Sequence, residues 1–386
     1  MSTGAKVALG IGLGLAVIVR LALLPSSGLA GDLLLFESWA GFIATNGLSR
    51  AYELPLSFPP VLPWIWAALG VLDSGLRTTS PGHPALNVLM KLPATLADFG
   101  LAAIVWWWLS RRGEAGPAWA AAGAVAVLLA PVVIYDSALW GQFEAIYVLP
   151  ALLATVLAAR GRNDAAAVFA AIALMTKPQA LPLMVPLAAW FLATSGWRGV
   201  LRAAVVGGVV IVVLWLPFVP SGGVAAYLAG LQRYADVTFS VLSLRAWNPW
   251  WLVQLGIGSR DFIVDTNPIL GPITFRVIGT TLAVLGLLLV AVRIVRRPTP
   301  EGLAWGMAAA ALVSFALLTT MHERYSYPAL VFLPLVWPNR LALAAWLVLA
   351  VTISLNVVAA IPPVGAPGSL VPLDGPVGLL GSIVMT

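Results

Sequence analysis

Long apolar runs without a charged residue constrain this chain more than any other feature of its sequence. Residues 118–129, for example, are almost entirely Ala, Val and Leu. A transmembrane β-barrel would instead show strands of about ten residues with alternating polarity. The runs therefore predict membrane-spanning helices. A composition with 61% hydrophobic and only 9% charged residues makes the chain an integral membrane protein.

The composition also excludes several classes of function. A chain this apolar is neither a cytosolic enzyme nor a nucleic-acid-binding protein, and its net charge of +6 does not indicate an anionic partner, because cations in a multi-pass protein chiefly mark cytoplasmic loops. With no Cys and two His, it has no disulfides, thiolate metal site or histidine-rich cluster. We therefore expect chemistry based on carboxylates, amides, cations and aromatic rings. No cofactor is expected.

The apolar pattern predicts an all-α bundle of about eleven transmembrane helices. The N-terminus is placed in the cytoplasm by the positive-inside rule, since the segments on that side then carry Arg111, Arg112, Arg293, Arg296 and Arg297. The predicted spans cover residues 7–24, 85–109, 117–135, 144–159, 164–176, 179–194, 199–219, 273–292, 303–320, 326–337 and 341–361.

Two long segments, 25–84 and 220–272, interrupt this pattern of short loops on the outer side of the membrane. The first contains a short apolar piece that begins after Phe58 and covers residues 59–72; it either spans the membrane or re-enters it, and we choose a re-entrant helix because the dibasic loop at 111–112 then lies inside. No internal repeat is visible, so residues 1–386 are predicted to form a single domain. Long ordered loops are often functional, which puts the expected site on the extracytoplasmic face.

Four polar clusters fall at this outer boundary, and their convergence predicts one outward-facing cavity. They are Gly31-Asp32, residues 140–144, residues 176–179 and residues 322–325. Asp32 lies on one side of an interfacial helix with Phe36 and Trp39, where it is a candidate base, while Glu37 lies on the other side and is expected to be solvated. The alternative for Asp32 is a helix N-cap.

The cations in these clusters suit an anionic ligand. Lys177 interrupts apolar helices, so it faces protein or water and either binds an anion or pairs with Glu144 or Asp98. His322 and Arg324 are suited to phosphate oxygens, the alternative being a local ion pair of Glu323 with Arg324.

Other polar and aromatic residues leave two interpretations open. Lys91 and Asp98 share a helix face and are expected to form a structural polar seam. The tryptophans at 247–251 either stack on a sugar or anchor the loop in the interface.

In this order, the clusters resemble the GT-C membrane glycosyltransferases, in particular the bacterial polyprenyl-phosphate-mannose mannosyltransferases and the dolichyl-phosphate-glucose glucosyltransferases. Gly31-Asp32, Trp39 and Phe58-Pro59-Pro60 are similar to the first outer loop of that family, with Phe58 in place of the commoner tyrosine. The remaining matches are Trp140 to Glu144, with Glu where Asp is more usual, Lys177 with Gln179, His322 to Arg324, and Asn248 with Trp250.

The resemblance implies an inverting, metal-independent transfer of a hexose, mannose before glucose, from a polyprenyl phosphate to a lipid-linked or glycan acceptor in glycolipid biosynthesis. It implies Asp32 as the catalytic base and Lys177, His322 and Arg324 as ligands of the donor phosphate. The residues that it implies for binding sugar or acceptor are Gln142, Glu144, Gln179, Asn248, Trp250 and Tyr325. The alternative is a transporter or flippase for a lipid-linked sugar, which would more often show paired halves and broken helices at the membrane midplane.

Overall fold

The protein is described by a computed structural model that covers residues 3–113, 116–257, 262–363, 366 and 370–386, and most of these residues are helical. The helices up to residue 215 are α1 (Thr3–Leu23), α2 (Ala30–Asn46), α3 (Val61–Leu72), α4 (Gly75–Thr78), α5 (Pro84–Ser110), α6 (Gly116–Leu129), α7 (Pro131–Ile134), α8 (Glu144–Ala159), α9 (Asn163–Leu174) and α10 (Leu181–Trp215). They are followed by α11 (Gly223–Arg233), α12 (Pro249–Ile257), β1 (Pro268–Leu270), β2 (Ile273–Thr274), α13 (Phe275–Arg296), α14 (Pro300–Leu317), α15 (Tyr327–Phe332), α16 (Arg340–Ala360) and α17 (Gly375–Val384). Strands β1 and β2 pair antiparallel, with Pro268 opposite Thr274.

Side-chain caps explain where several long helices begin. Thr274 accepts a hydrogen bond from Val277 N at the start of α13, and Thr299 accepts one from Gly302 N at the start of α14. Asn339 accepts from two backbone amides at the start of α16. Each cap satisfies amides that the first helical turn leaves without a partner, so these polar residues set the ends of otherwise apolar segments.

Within the described residues, six helices are long and apolar enough to cross a membrane, or seven if a bent pair is counted as one span. The six are α1, α5, α13, α14, α16 and the run of residues 178–218, which contains α10. The bent pair joins Gly116–Leu129 to Pro131–Trp140 at an angle of 50°. The predicted number of about eleven is not confirmed. The segments predicted as spans at 144–159, 164–176 and 326–337 form shorter helices: α8 has 16 residues, or about 24 Å, against a hydrocarbon core of about 30 Å.

Helix α10 contains a break that the sequence pattern anticipated. Gly196 has φ 65° and ψ −172°, a conformation outside the helical region and accessible essentially to glycine. It lies between the spans predicted at 179–194 and 199–219. The two apolar segments are therefore distinct helical stretches within one run.

The chain divides into two compact units. The first comprises Met1–Leu181 and Trp197–Gln232, and the second comprises Pro182–Gly196 and Arg233–Thr386. The single domain expected from the sequence stays a prediction.

The core of the first unit around α2 and α3 is aromatic. Phe36 and Trp39 of α2 pack with Trp66 of α3, and Phe143 contacts Phe36 with ring centroids 4.7 Å apart. Helix α3 has 12 residues, about 18 Å, so it is too short to span and its length favours the predicted re-entrant piece. The backbone amide of Val61 at its start donates to Met175 O, which ties α3 to the segment before Lys177.

Candidate active site

Asp32 lies in the first turn of α2, where two side chains hold one oxygen of its carboxylate. Trp140 Nε1 donates to Asp32 Oδ2 at 3.0 Å, and Gln142 Nε2 donates to the same atom at 2.7 Å. The carboxylate is half-buried, and Oδ1 has no hydrogen-bond partner in the part of the chain that the structure describes. The alternative role as an N-cap is wrong, because the capping position is Leu29 and Asp32 bonds across to another segment.

A tight turn presents both donors to Asp32. The π-helix Tyr135–Trp140 ends at Gly141, whose φ of 83° is left-handed, and the carbonyl of Asp136 accepts from the amides of Gly141 and Gln142. The left-handed angle favours glycine, and a Cβ on Gly141 would lie 3.1 Å from Leu33 and 3.2 Å from Lys91, so both side chains would have to shift. This conformation brings Trp140 and Gln142 to the same carboxylate.

Lys91 supports the segment that leads to Asp32, a role that the sequence analysis missed. Its Nζ donates to Ser26 O at 2.6 Å and to Ser26 Oγ at 3.2 Å, at the end of α1. The expected seam with Asp98 is wrong, because the Asp98 carboxylate instead accepts from Arg20 Nη2 at 2.9 Å. A lone cation inside an apolar helix was the available signal, but its partner depends on tertiary packing.

Glu37 is buried, with 2% of its surface exposed, so the expectation of a solvated residue is wrong. Its Oε2 accepts from Gly82 N at 2.6 Å, which fastens the end of the first outer loop to α2. Burial raises the pKa of Glu37, while the Gly82 amide and the charge of Lys91 act in the opposite direction. The residue therefore supports the loop from inside the protein.

Lys177 and Glu144 form a buried ion pair. Nζ of Lys177 bonds to Oε1 of Glu144, and the two residues are 2% and 0% exposed. The ammonium group lies 5.9 Å from the centre of the Tyr147 ring. Of the two carboxylates considered as partners for Lys177, Glu144 is the one that pairs. Gln179 lies in the following 3₁₀ turn Pro178–Ala180 and is half-buried.

Three of the predicted clusters therefore meet in the first unit. Phe58 joins them, since its ring lies 6.3 Å from Trp39 and 5.6 Å from Phe143, centroid to centroid. Phe143 stands between Gln142, which holds Asp32, and Glu144, which holds Lys177. The carboxylate of Asp32 and the Lys177–Glu144 pair are thus fixed to the two ends of one short segment.

The fourth cluster lies in the second unit, where backbone bonds order it. Leu244 N donates to Met321 O at 3.0 Å, and Thr320 adopts a left-handed φ of 63°, which is rare for a β-branched residue. The His322 ring packs edge-on against Phe239 and Tyr325, with centroids 5.2 and 4.9 Å away. The second outer loop thereby sets the orientation of the His322 imidazole.

Glu323 lies between two basic side chains and contacts both. Arg324 Nη1 donates to Glu323 Oε1 at 2.6 Å, and His322 Nδ1 lies 3.7 Å from Glu323 Oε2. The ion pair weighed as the alternative role of Arg324 is therefore present. Burial alone would raise the pKa of Glu323, but the charge of Arg324 and the bond to His322 outweigh it and lower the pKa to about 2.

Asn248 and Trp250 are engaged with the backbone of α14. The amide of Asn248 is fully buried, donating to Phe315 O at 3.0 Å and accepting from Trp251 N at 3.1 Å. Trp250 Nε1 donates to Leu317 O at 2.9 Å. Both side chains thus pin the second outer loop to the end of α14. Among the described residues, no group of three or more His, Cys, Asp or Glu is placed to hold a metal ion.

Comparisons with known proteins agree with this architecture. The sequence profile described as glycosyltransferase family 87 matches residues 88–320. The crystal structure of ArnT from Cupriavidus metallidurans bound to undecaprenyl phosphate superposes with a TM-score of 0.55 at 18% sequence identity, covering 93% of this chain. The chain spans 66% of the length of that structure. No curated protein matches the sequence.

Proposed function

Because the chain belongs to glycosyltransferase family 87 and has the GT-C fold, we propose that it moves a hexose from a polyprenyl-phosphate donor to an acceptor hydroxyl. The reaction is a single inverting displacement at the anomeric carbon. Mannose is the first candidate sugar and glucose the second, on the resemblance of the outer-loop motifs to enzymes that use those donors. The acceptor is a lipid-linked or glycan hydroxyl, and the site opens on the extracytoplasmic side.

The geometry of Asp32 carries this proposal. Two donors hold Oδ2 and so fix the plane of the carboxylate, while Oδ1 has no partner among the described residues. An inverting displacement needs one such base, because the acceptor hydroxyl must lose its proton as its oxygen bonds to the anomeric carbon. In this step the acceptor proton goes to Asp32, the carbon–oxygen bond to the phosphate breaks, and the phosphate leaves with the electron pair.

The leaving phosphate gains negative charge, so the reaction also needs fixed cations. We assign this role to Arg324, His322 and Lys177. A guanidinium carries five donors in a rigid fork, so an ion pair with Glu323 is compatible with binding a second anion. For Lys177, the pair with Glu144 sets the position of the ammonium group and reduces the net charge that it offers.

The remaining polar residues fall into two groups. Gln142, Glu144, Gln179 and Tyr325 stay candidate contacts of the sugar or the acceptor. For Asn248 and Trp250 we propose a positioning role instead, because their polar groups are bound to the backbone at Phe315, Trp251 and Leu317. Because the chain belongs to a glycosyltransferase family, the alternative hypothesis of a transporter or flippase loses its support.

The proposal is tested by Asp32→Asn in proteoliposomes supplied with polyprenyl-phosphate-linked mannose, glucose or arabinose and a membrane lipid extract. Asparagine keeps an oxygen acceptor for Trp140 and Gln142, so the variant should fold and bind donor, yet it cannot take the acceptor proton. We expect turnover to fall by about 10²–10⁴-fold. Products identified by mass would report the sugar and the acceptor.

Glu53→Gln is the matched control, since Glu53 is an exposed carboxylate of the same outer loop that pairs only locally with Arg50. It should leave turnover unchanged. Near-normal turnover of Asp32→Asn would remove this residue from the mechanism. Arg324→Ala should weaken donor binding along with the rate, and an unchanged donor affinity would leave Arg324 a purely structural partner of Glu323.

A further inference from the structure

A cavity of about 600 Å³ lies in the hairpin formed by α13 and α14, in the second unit. Its volume falls in the range of ligand-binding pockets, about 300–1,000 Å³. None of the candidate active-site residues borders it. Its lining includes Leu289, Val290 and Trp305 on one side and Arg293, Arg297 and Glu301 at the other end.

The side of the cavity toward the middle of the helices is apolar and open to the surroundings of the protein. Leu289 is 71% exposed, and Val290, Trp305 and Ala309 are half-buried. Behind them the two helices are in close contact, since a Cβ on Gly306 would lie 2.6 Å from Ile294. This side is therefore a groove with a closed floor on a membrane-spanning surface, where hydrocarbon chains are the surrounding medium.

The other end of the cavity is basic. Arg293 and Arg297 line it, and within the described residues neither guanidinium has a hydrogen-bond or ion-pair partner. The start of α14 faces the same end, where Gly302 N is capped by Thr299, and a helix N-terminus favours negative charge. Glu301 is the one acid of the lining, so two arginines and one glutamate leave a formal charge of 2 − 1 = +1.

We propose that this cavity binds one anionic diacyl phospholipid of the bilayer. The phosphodiester lies between Arg293 and Arg297, and an acyl chain lies along Leu289, Val290 and Trp305. A guanidinium group binds phosphate through two parallel hydrogen bonds, and basic pockets between transmembrane helices are suited to anionic headgroups. Glu301 accepts a hydrogen bond from a headgroup hydroxyl, such as those of glycerol.

The chemistry of the lining separates this ligand from other phosphates. Inorganic phosphate makes no use of the apolar groove, whereas a diacyl lipid fills both parts. A zwitterionic lipid leaves the net positive charge of the lining unbalanced. Binding therefore requires the anionic headgroup and the chains together.

Native mass spectrometry of the full-length protein released from neutral detergent tests the proposal. Phosphatidylglycerol should bind as one retained molecule per chain, at least tenfold more tightly than phosphatidylcholine. Arg293→Gln with Arg297→Gln should weaken phosphatidylglycerol binding at least tenfold. Arg296→Gln is the matched control, because Arg296 carries the same charge on the same last turn of α13 but does not line the cavity.

Ala309→Phe provides a second test that leaves the charges intact, since it fills the apolar groove and should also weaken binding. Equal losses in the Arg296 control and the Arg293/Arg297 variant would mean nonspecific attraction to charge and would overturn the proposal. Equal affinity for phosphatidylcholine would overturn it as well. So would a larger loss of polyprenyl-phosphate binding than of phosphatidylglycerol binding in the Arg293/Arg297 variant, or tighter binding of inorganic phosphate than of phosphatidylglycerol.

Discussion

Two of the cations proposed to bind the donor phosphate are each paired with a neighbouring carboxylate. Lys177 pairs with Glu144, and Arg324 pairs with Glu323. A buried charge without a partner is costly, so the pairs fix where the cations can lie. Glu144 and Glu323 thereby act on the orientation of the basic groups, and Asp32, held only by neutral donors, is chemically distinct from both.

At the residue scale, Glu323→Gln tests the ion pair of Glu323 with Arg324. The pKa of Glu323 is lowered from 4.5 to about 2, so its ionised form contributes stability at any pH above 4.5. That contribution is lost as the pH falls from 4.5 towards 2. At pH 7 the variant removes the carboxylate that pairs with Arg324, and we expect the free energy of unfolding to fall by about 3–5 kcal/mol.

Thermal unfolding in detergent, followed from pH 7 to pH 3, measures this difference. The difference in melting temperature between the wild type and Glu323→Gln should be constant above about pH 5 and should become smaller below pH 4.5. Glu53→Gln, an exposed substitution, should show almost no gap at either pH. A gap of the same size at pH 3 and pH 7 would contradict the assigned ion pair.

At the scale of elements, a buried polar cluster joins three helical segments of the first unit. Arg20 of α1 donates to Asp98 of α5 through Nε at 3.1 Å and Nη2 at 2.9 Å, and Ser137 of the π-helix donates to the same carboxylate oxygen. The π-helix leads directly into the turn that holds Asp32. The cluster thus sets the relative position of the elements on which the base depends.

Arg20→Met should destabilise the protein by about 3–5 kcal/mol, because it removes the guanidinium that donates twice to the buried Asp98 carboxylate. Adding Asp98→Asn removes the charge of that carboxylate and should recover most of the loss. Thermal unfolding of the purified variants gives both values. A double variant as unstable as Arg20→Met alone would show that the guanidinium acts through packing.

The break in α10 gives a second prediction for an element. Gly196→Ala places a Cβ on a residue with φ 65° and ψ −172°, so we expect a loss of about 1–3 kcal/mol. Gly208→Ala is the matched control in the same helix, where an added Cβ meets nothing within 4 Å and helix propensity improves by about 1 kcal/mol. Thermal unfolding of both variants should move in opposite directions. A neutral Gly196→Ala would mean that the break shifts freely along the helix.

At the scale of the whole molecule, the orientation in the membrane is a prediction of the charge pattern. The natural chain has no cysteine, so single cysteines can be introduced without further changes. Ser80→Cys in the first outer loop should react with a membrane-impermeant maleimide added to intact cells. Arg340→Cys should react only after the membrane is opened. The reverse pattern would invert the topology and place the proposed site in the cytoplasm.

The sequence by itself determined that the chain is a helical membrane protein, whereas Asp32, the amides and the basic clusters stay predictions of the site. Apolar periodicity and motif order are local properties, so α5 (Pro84–Ser110) agrees with the predicted 85–109, and the Gly196 break lies between two predicted spans. Segments such as 164–176 were as apolar as true spans, and apolarity alone does not separate a spanning helix from a short buried one.

Only the tertiary structure decided which partner each buried polar group has. Asp98 pairs with Arg20 and not with Lys91, and the buried Glu37 accepts a hydrogen bond from Gly82 N. Asn248 donates to the backbone carbonyl of Phe315. Arg20 and Asp98 are 78 positions apart, and Gln142 and Asp32 are 110 apart, because a hydrogen bond depends on distances that packing brings about. A buried charge or amide must find some partner, which the sequence implies, but which one is within reach is a property of the fold.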